Sequence, residues 1–260
     1  VATLLTDEEC IIDNLPLVED IFNTIDVLKS IGVEVEKITE RKIRVVANTI
    51  KVDDMDFEKV QKTRISVLLF GALLPRVKSF KIPPPGGDRI GVRPISVHLS
   101  ALEQMGAKIW RANDFYKVDC QNLEGKEIVL EEFSVTGTET LMLAAVLAKG
   151  RTTIKGAACE PHVQDLGKML VKMGARIKGV GTHTLIIDGV KKLKGVKHSI
   201  IADPVEAGTF IIMAAAMGDR VKIKNVNCGY LDLFLKKMEE VGVNLEKGAD
   251  CVTVFRSSKL

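Results

Sequence analysis

Hydrophobic and polar positions repeat along this chain in one pattern, four times over. Residues 28–35 (LKSIGVEV), 102–109 (LEQMGAKI), 170–177 (LVKMGARI) and 238–245 (MEEVGVNL) each place two apolar residues three apart directly before a glycine. Apolar residues at that spacing share a helix face, and glycine takes the left-handed conformation that ends a helix without a Cβ clash. Each copy therefore predicts a helix stopping at Gly32, Gly106, Gly174 or Gly242, glycines that stand 74, 68 and 68 residues apart. Alternating runs split by polar turns follow, such as 176–178, GVGTH, then 184–188, and these predict hairpins. The regular spacing predicts a fold built from repeated helix-hairpin units.

A second helix is expected before each unit's return strand, and its runs have no polar face: 67–74 (VLLFGALL), 141–148 (LMLAAVLA) and 210–217 (FIIMAAAM). Such helices cannot lie on a wet surface, and they fall far short of the about 20 residues needed to cross a bilayer. They are expected to be buried and ringed by sheets. Residues 1–5 and 10–13 match the tail of such a helix and its return strand, and little follows the last strand at 252–255. Both ends predict a fragment of a longer protein.

Composition refines this only modestly. With 46% hydrophobic residues in 260, the chain can bury a sizeable core in one or two domains. A net charge of +3 is too balanced for a nucleic-acid binder, and 5% aromatics argue against base stacking. The five cysteines form no CxxC pair and fit a reduced cytosol. His162 has no second ligand at metal spacing. Gly179 and Gly181 mark a hairpin turn and not a dinucleotide fingerprint, and Lys191, Lys192, Lys194 and Lys197 read as a solvated connection between domains.

The candidate chemistry lies in residues 81–98, KIPPPGGDRIGVRPISVH. Prolines stiffen the start, Gly86 and Gly87 permit unusual backbone angles, and Asp88 sits at the tip between Arg89 and, further on, Arg93. A proline-rich surface turn explains PPPGG alone. Arg64 and Arg93, however, stand at helix starts, where the dipole favours anions, and a bound phosphate would resolve that conflict.

The string PGGDRIGVRPISVHLSALEQMGA, with FSVTGTET at 133–140, AACEPHVQD at 157–165 and DPVEAGTF at 203–210, resembles the UDP-N-acetylglucosamine 1-carboxyvinyltransferase family over essentially the whole chain. The resemblance implies an α/β fold, an inside-out α/β barrel of repeated helix-hairpin units with helices buried and sheets outside. It divides the chain into a first domain, 1–201, of three units, and the start of a second, 202–260, with a cleft between domains as the active site. It implies transfer of the enolpyruvyl group of phosphoenolpyruvate to the 3-hydroxyl of UDP-N-acetylglucosamine with release of phosphate, the committed step of peptidoglycan and cell-wall synthesis. Neither metal nor organic cofactor is implied. The partners implied are these two small molecules, with no nucleic acid and no membrane, for a cytoplasmic enzyme that is a monomer when complete.

Asp88 falls where most of the family carries cysteine, the general acid toward the methylene carbon. A carboxylic acid serves there only while the site keeps it protonated, which burial or a phosphate dianion favours and Arg89 and Arg93 oppose. The resemblance also implies insensitivity to the epoxide fosfomycin, which alkylates the family's loop cysteine. Arg64 and Arg93 match anion-binding arginines with catalytic roles. Arg93, Pro94, Ile95, Ser96, Val97 and His98 match the run along the uridine, and Ser134 and Val135 its other side, although Ser134 also reads as a helix N-cap. Glu160 matches a supporting cleft glutamate. Ser96, Glu132 and Pro204 depart from the usual aspartate, lysine and arginine, and the family's Lys-Asn pair and later aspartate base have no counterpart. Two other readings share these features: a non-catalytic UDP-sugar-binding paralogue, and the sister enolpyruvyl transferase of the shikimate pathway.

Overall fold

All four glycine stops are helix ends of one geometry. In the computed structural model, which describes residues 1–88 and 90–256, Gly32, Gly106, Gly174 and Gly242 have φ of +88°, +103°, +101° and +94°. Each glycine N–H donates to the carbonyl three residues back, and the next residue's N–H reaches five back, as Ala175 does to Leu170. This is the double-bonded left-handed helix cap that glycine alone adopts without strain.

The helices so ended are α1 (Glu19–Ser30), α4 (Ser96–Gln104), α6 (Pro161–Lys172) and α8 (Asp232–Glu240), numbered with the short α2 (Phe57–Val60), α3 (Leu68–Leu73), α5 (Val135–Ala145) and α7 (Pro204–Met217). Each feeds a hairpin: β2 (Glu34–Thr39) with β3 (Lys42–Val46), β5 (Lys108–Ala112) with β6 (Phe115–Asp119), β9 (Arg176–Lys178) with β10 (Thr184–Asp188), and β13 (Asn244–Lys247) with β14 (Cys251–Phe255). The return strands β1 (Cys10–Asp13), β4 (Ser79–Ile82), β8 (Arg151–Lys155) and β12 (Arg220–Lys224) pair antiparallel with β3, β6, β10 and β14. Two shorter strands, β7 (Glu127–Val129) and β11 (Lys197–Ser199), add in parallel to β8 and β1.

The chain divides into two compact units, Val1–Ile200 and Ile201–Leu260. Within the first, the sheets run β11-β1-β3-β2, β4-β6-β5 and β7-β8-β10-β9, and none closes on itself. What they surround is helical. Every residue of α3 is buried, as is α5 from Gly137 to Ala145. The two pack so closely that a Cβ on Gly71 would sit 2.1 Å from the Thr140 carbonyl oxygen. Burying Leu141, Met142 and Leu143, each 1% exposed or less, stabilises the unit by about 1.5–3 kcal/mol per side chain. In this unit the helices lie inside and the sheets outside.

Three expectations need correction. The run at 67–74 begins as a 3₁₀ turn, Arg64–Val67, before α3. The helix at 210–217 is not buried on all sides, since Phe210, Ile212, Met213 and Met217 are exposed. Within its unit, α7 is packed by β12 and β14 on one face, and no described element of that unit covers the other. Lys192 and Lys197 are not a bare connection: Lys192 pairs with Asp7 and Glu8, and Lys197 lies in β11, in register with Ile11. Pro204 follows the N-cap Asp203, whose carboxylate accepts from the Val205 and Glu206 N–H groups. It occupies the first helical position, where its missing donor costs nothing.

Candidate active site

The proline-glycine loop leaves β4 and returns to start α4, and its path is set by what it must pass. A Cβ on Gly86 would lie 1.5 Å from the Gln61 carbonyl oxygen, so only glycine lets the loop lie against residues 61–64. Gly86→Ala should push the loop off this seat at a cost of about 1–3 kcal/mol, read as a lower urea midpoint than wild type. An unchanged midpoint would show that the contact is dispensable.

Held this way, the loop lines an open pocket of about 600 Å³ together with Gln61, Arg64 and Arg93, and Asp88 is on its wall. Arg64 closes the loop's far end, Nη1 donating to the Arg93 carbonyl at 2.8 Å and Nη2 to the Pro94 carbonyl at 3.0 Å. Loop carbonyls thus meet part of the charge conflict inferred for Arg64. Burial, and then the nearby Arg93, pull the Arg64 guanidinium below its usual range. Among the described residues neither arginine has a carboxylate within ion-pair distance. Arg89 lies outside the described residues.

The loop delivers Ile95 as the N-cap of α4, so Ser96, Val97 and His98 form its first turn. This turn meets the start of α5: His98 Nε2 shares a 2.8 Å hydrogen bond with Thr136 Oγ1. His98 is 2% exposed, and burial, then Arg64, push its pKa down to about 4. It is a neutral ring at pH 7.

Ser134 caps α5, its Oγ accepting from the Gly137 N–H at 3.2 Å, and Val135 is the first helical residue. Thr138 Oγ1 donates to the Ser134 carbonyl and accepts from the Ala158 N–H, which brings residues 158–160 beside α5. Glu160 is the N-cap of α6 but makes no capping bond with its side chain. It stands close enough to Glu139 on α5 to act on it. Burial, then Glu160, raise Glu139 to about 7, and at 9% exposure its side chain has no hydrogen-bond or ion-pair partner among the described residues. Asp165 serves packing instead, 3.0 Å from His198 of β11 in a buried pair.

The candidates therefore gather in two places. Asp88, Arg64 and Arg93 line the pocket, and from its rim Pro94, Ile95, Ser96, Val97 and His98 run to the capped helix start at Ser134 and Val135. Glu160 lies at the α6 end of α5's first turns, with Glu139. Sequence reasoning missed Gln61, Thr136 and Glu139. For Glu139 a signal existed, because it is the sole charged residue in the otherwise uncharged helix 135–145.

A family model described as EPSP synthase (3-phosphoshikimate 1-carboxyvinyltransferase) matches residues 1–260. The chain is 41% identical to a UDP-N-acetylglucosamine 1-carboxyvinyltransferase of Koribacter versatilis, covering 100% of this chain and 60% of that protein. It is 42% identical to UDP-N-acetylglucosamine 1-carboxyvinyltransferase 2 of Clostridium tetani, covering 100% and 62%. The chain thus spans about three-fifths of the length of these relatives. Among solved structures it superposes on the enolpyruvyl transferase NikO from Streptomyces tendae with a TM-score of 0.88 at 19% identity, over 99% of this chain and 62% of that one. The match is one of fold. Among the described residues no helix is long and apolar enough to cross a membrane.

Proposed function

The chain belongs to the EPSP synthase family of enolpyruvyl transferases, and from that premise we propose that it is part of an enzyme that moves the enolpyruvyl group of phosphoenolpyruvate to the 3-hydroxyl of UDP-N-acetylglucosamine. The observation that carries this reading is that Asp88 meets two guanidinium side chains, Arg64 and Arg93, in one open pocket. Phosphoenolpyruvate is a small trianion, and a pocket with two arginines and a carboxyl group fits both its charge and the first step of its reaction. Asp88 gives its proton to the methylene carbon and the sugar hydroxyl adds to the neighbouring carbon; the C–O bond to phosphate then breaks, the departing phosphate carrying off the hydroxyl proton while a methyl proton returns to Asp88. Arg64 and Arg93 hold the anion through these steps.

The acceptor is a sugar nucleotide on this reading. Residues 93–98 lie along the uridine, and the α5 start after the Ser134 cap turns the positive end of its helix dipole toward the diphosphate. Glu160 supports the sugar. The relatives at about 40% identity carry the UDP-N-acetylglucosamine name, which favours this acceptor over a shikimate phosphate. The enzyme works in the cytoplasm as a monomer, in peptidoglycan synthesis.

The test uses the complete gene product. It should release inorganic phosphate from phosphoenolpyruvate when UDP-N-acetylglucosamine is added and none when shikimate 3-phosphate is added. The reverse result assigns it to the shikimate branch. Tight binding of the UDP-sugar without phosphate release makes it a binding protein.

A further inference from the structure

Away from the pocket, a thiol and an imidazole stand together that the proposed reaction does not use. Cys159 Sγ lies 4.0 Å from His183 Nε2. The other ring nitrogen, Nδ1, is 2.8 Å from the Ala157 carbonyl oxygen. A carbonyl only accepts, so Nδ1 carries the proton, and Nε2 of the neutral ring turns a lone pair toward the sulfur.

The arrangement is held from both sides. Ala157 donates its N–H to the His183 carbonyl at 3.1 Å, so residues 157 and 183 clamp each other through backbone and ring. Gln164 Nε2 donates to the Cys159 carbonyl at 2.8 Å, and the Phe133 ring packs edge-on against the imidazole, centroids 4.8 Å apart. Nucleophile, base and a group orienting the base are the three parts of an activated thiol.

The other cysteines lack this setting. Cys10, Cys120 and Cys251 are buried. Cys228 is half-buried like Cys159, but its thiol points at the Gly248 and Cys251 carbonyls, each 3.7 Å away. Among the described residues, only Cys159 has both solvent access and an imidazole at hand.

We propose that Cys159 and His183 form a thiol-imidazole pair that reacts with low-molecular-weight disulfides, making Cys159 a site of reversible modification. His183 Nε2 takes the thiol proton, and the thiolate attacks one sulfur of the disulfide. A new S–S bond forms to Cys159 as the old one breaks, and the departing thiolate takes the proton from the imidazolium. Cys159 is oxidised, one half of the disulfide is reduced, and no further reagent is needed. The mixed disulfide then stands next to Glu160 at the start of α6.

Oxidised glutathione is the probe, applied to the 260-residue chain and followed by peptide mapping over time. Cys159 should acquire the adduct about tenfold faster than Cys228 in the unaltered chain, a comparison that needs no variant. His183→Gln should slow Cys159 by about tenfold, while His162→Gln, on the same segment but without a contact to the thiol, should leave its rate unchanged. Cys228 reacting as fast as Cys159, or a Cys159 rate that is equal or higher in His183→Gln, overturns the proposal.

Discussion

Replacing Glu139 with glutamine should make the chain more stable than wild type by a margin that grows as pH rises. Glu139 is 9% exposed, and burial, then Glu160, raise it from 4.5 to about 7. Between those two values the folded chain keeps a proton that the unfolded chain has lost. The unfolded state therefore binds fewer protons, and stability falls with rising pH until both states are ionised. The whole effect amounts to about 3 kcal/mol. Glutamine imitates the protonated acid in shape and charge and cannot ionise, so the difference between variant and wild type should move by that amount from pH 4 to pH 8. Urea unfolding at five pH values measures it, and a difference that does not change with pH would remove the buried acid from the account.

His98 should behave as the mirror image. Burial, then Arg64, push it from 6.5 down to about 4. As pH falls between those values the unfolded chain takes up a proton that the folded chain refuses, so stability is lost on the acid side, again by about 3 kcal/mol. From about pH 4.5 to 6.5 the two slopes oppose each other. Wild type should look nearly indifferent to pH there, while Glu139→Gln exposes the histidine slope and His98→Asn the glutamate slope. The slope of each difference is the readout, because His98→Asn also loses packing and the bond to Thr136.

What could be read from the sequence follows from how local each cause is. The four helix ends were legible because a left-handed cap needs glycine at one position, whatever surrounds it. The burial of α3 and α5 was legible because neither offers a polar face. The same argument failed for α7, since burial also needs something to cover the second face, and a one-dimensional pattern does not say what packs where. Arg64 stood out as a cation at a helix start, yet its bonds to the Arg93 and Pro94 carbonyls join residues about thirty apart and depend on the loop's return path. Glu139 owes its behaviour to burial and to Glu160, which the Thr138–Ala158 hydrogen bond brings alongside. Neither cause is local, although a lone carboxylate in an uncharged buried helix was the clue.

Asp88→Asn in the complete enzyme should lower kcat by about 10²–10⁴-fold, the range for losing a general acid. Asparagine matches aspartate in size and keeps its place on the pocket wall beside Arg64 and Arg93, but it has no proton to give to carbon. In the proposed reading the arginines bind phosphoenolpyruvate, so its KM should stay within a few-fold of wild type, and a large rise in KM at unchanged kcat would make Asp88 a binding residue instead. Asp88→Cys asks the same question of the loop with a different reagent. A thiolate is a far better nucleophile toward an epoxide than a carboxylate, and Asp88 is exposed in the pocket that Arg64 and Arg93 also line. Fosfomycin, an epoxide carrying a phosphonate, should therefore leave wild type active and inactivate Asp88→Cys progressively, with an adduct on residue 88 by mass spectrometry. Inactivation of wild type through this loop would show that the carboxylate is reactive enough on its own. An active Asp88→Cys enzyme that resists the epoxide would mean that residue 88 does not face the bound anion, and the assignment of Asp88 as the acid would fall with it.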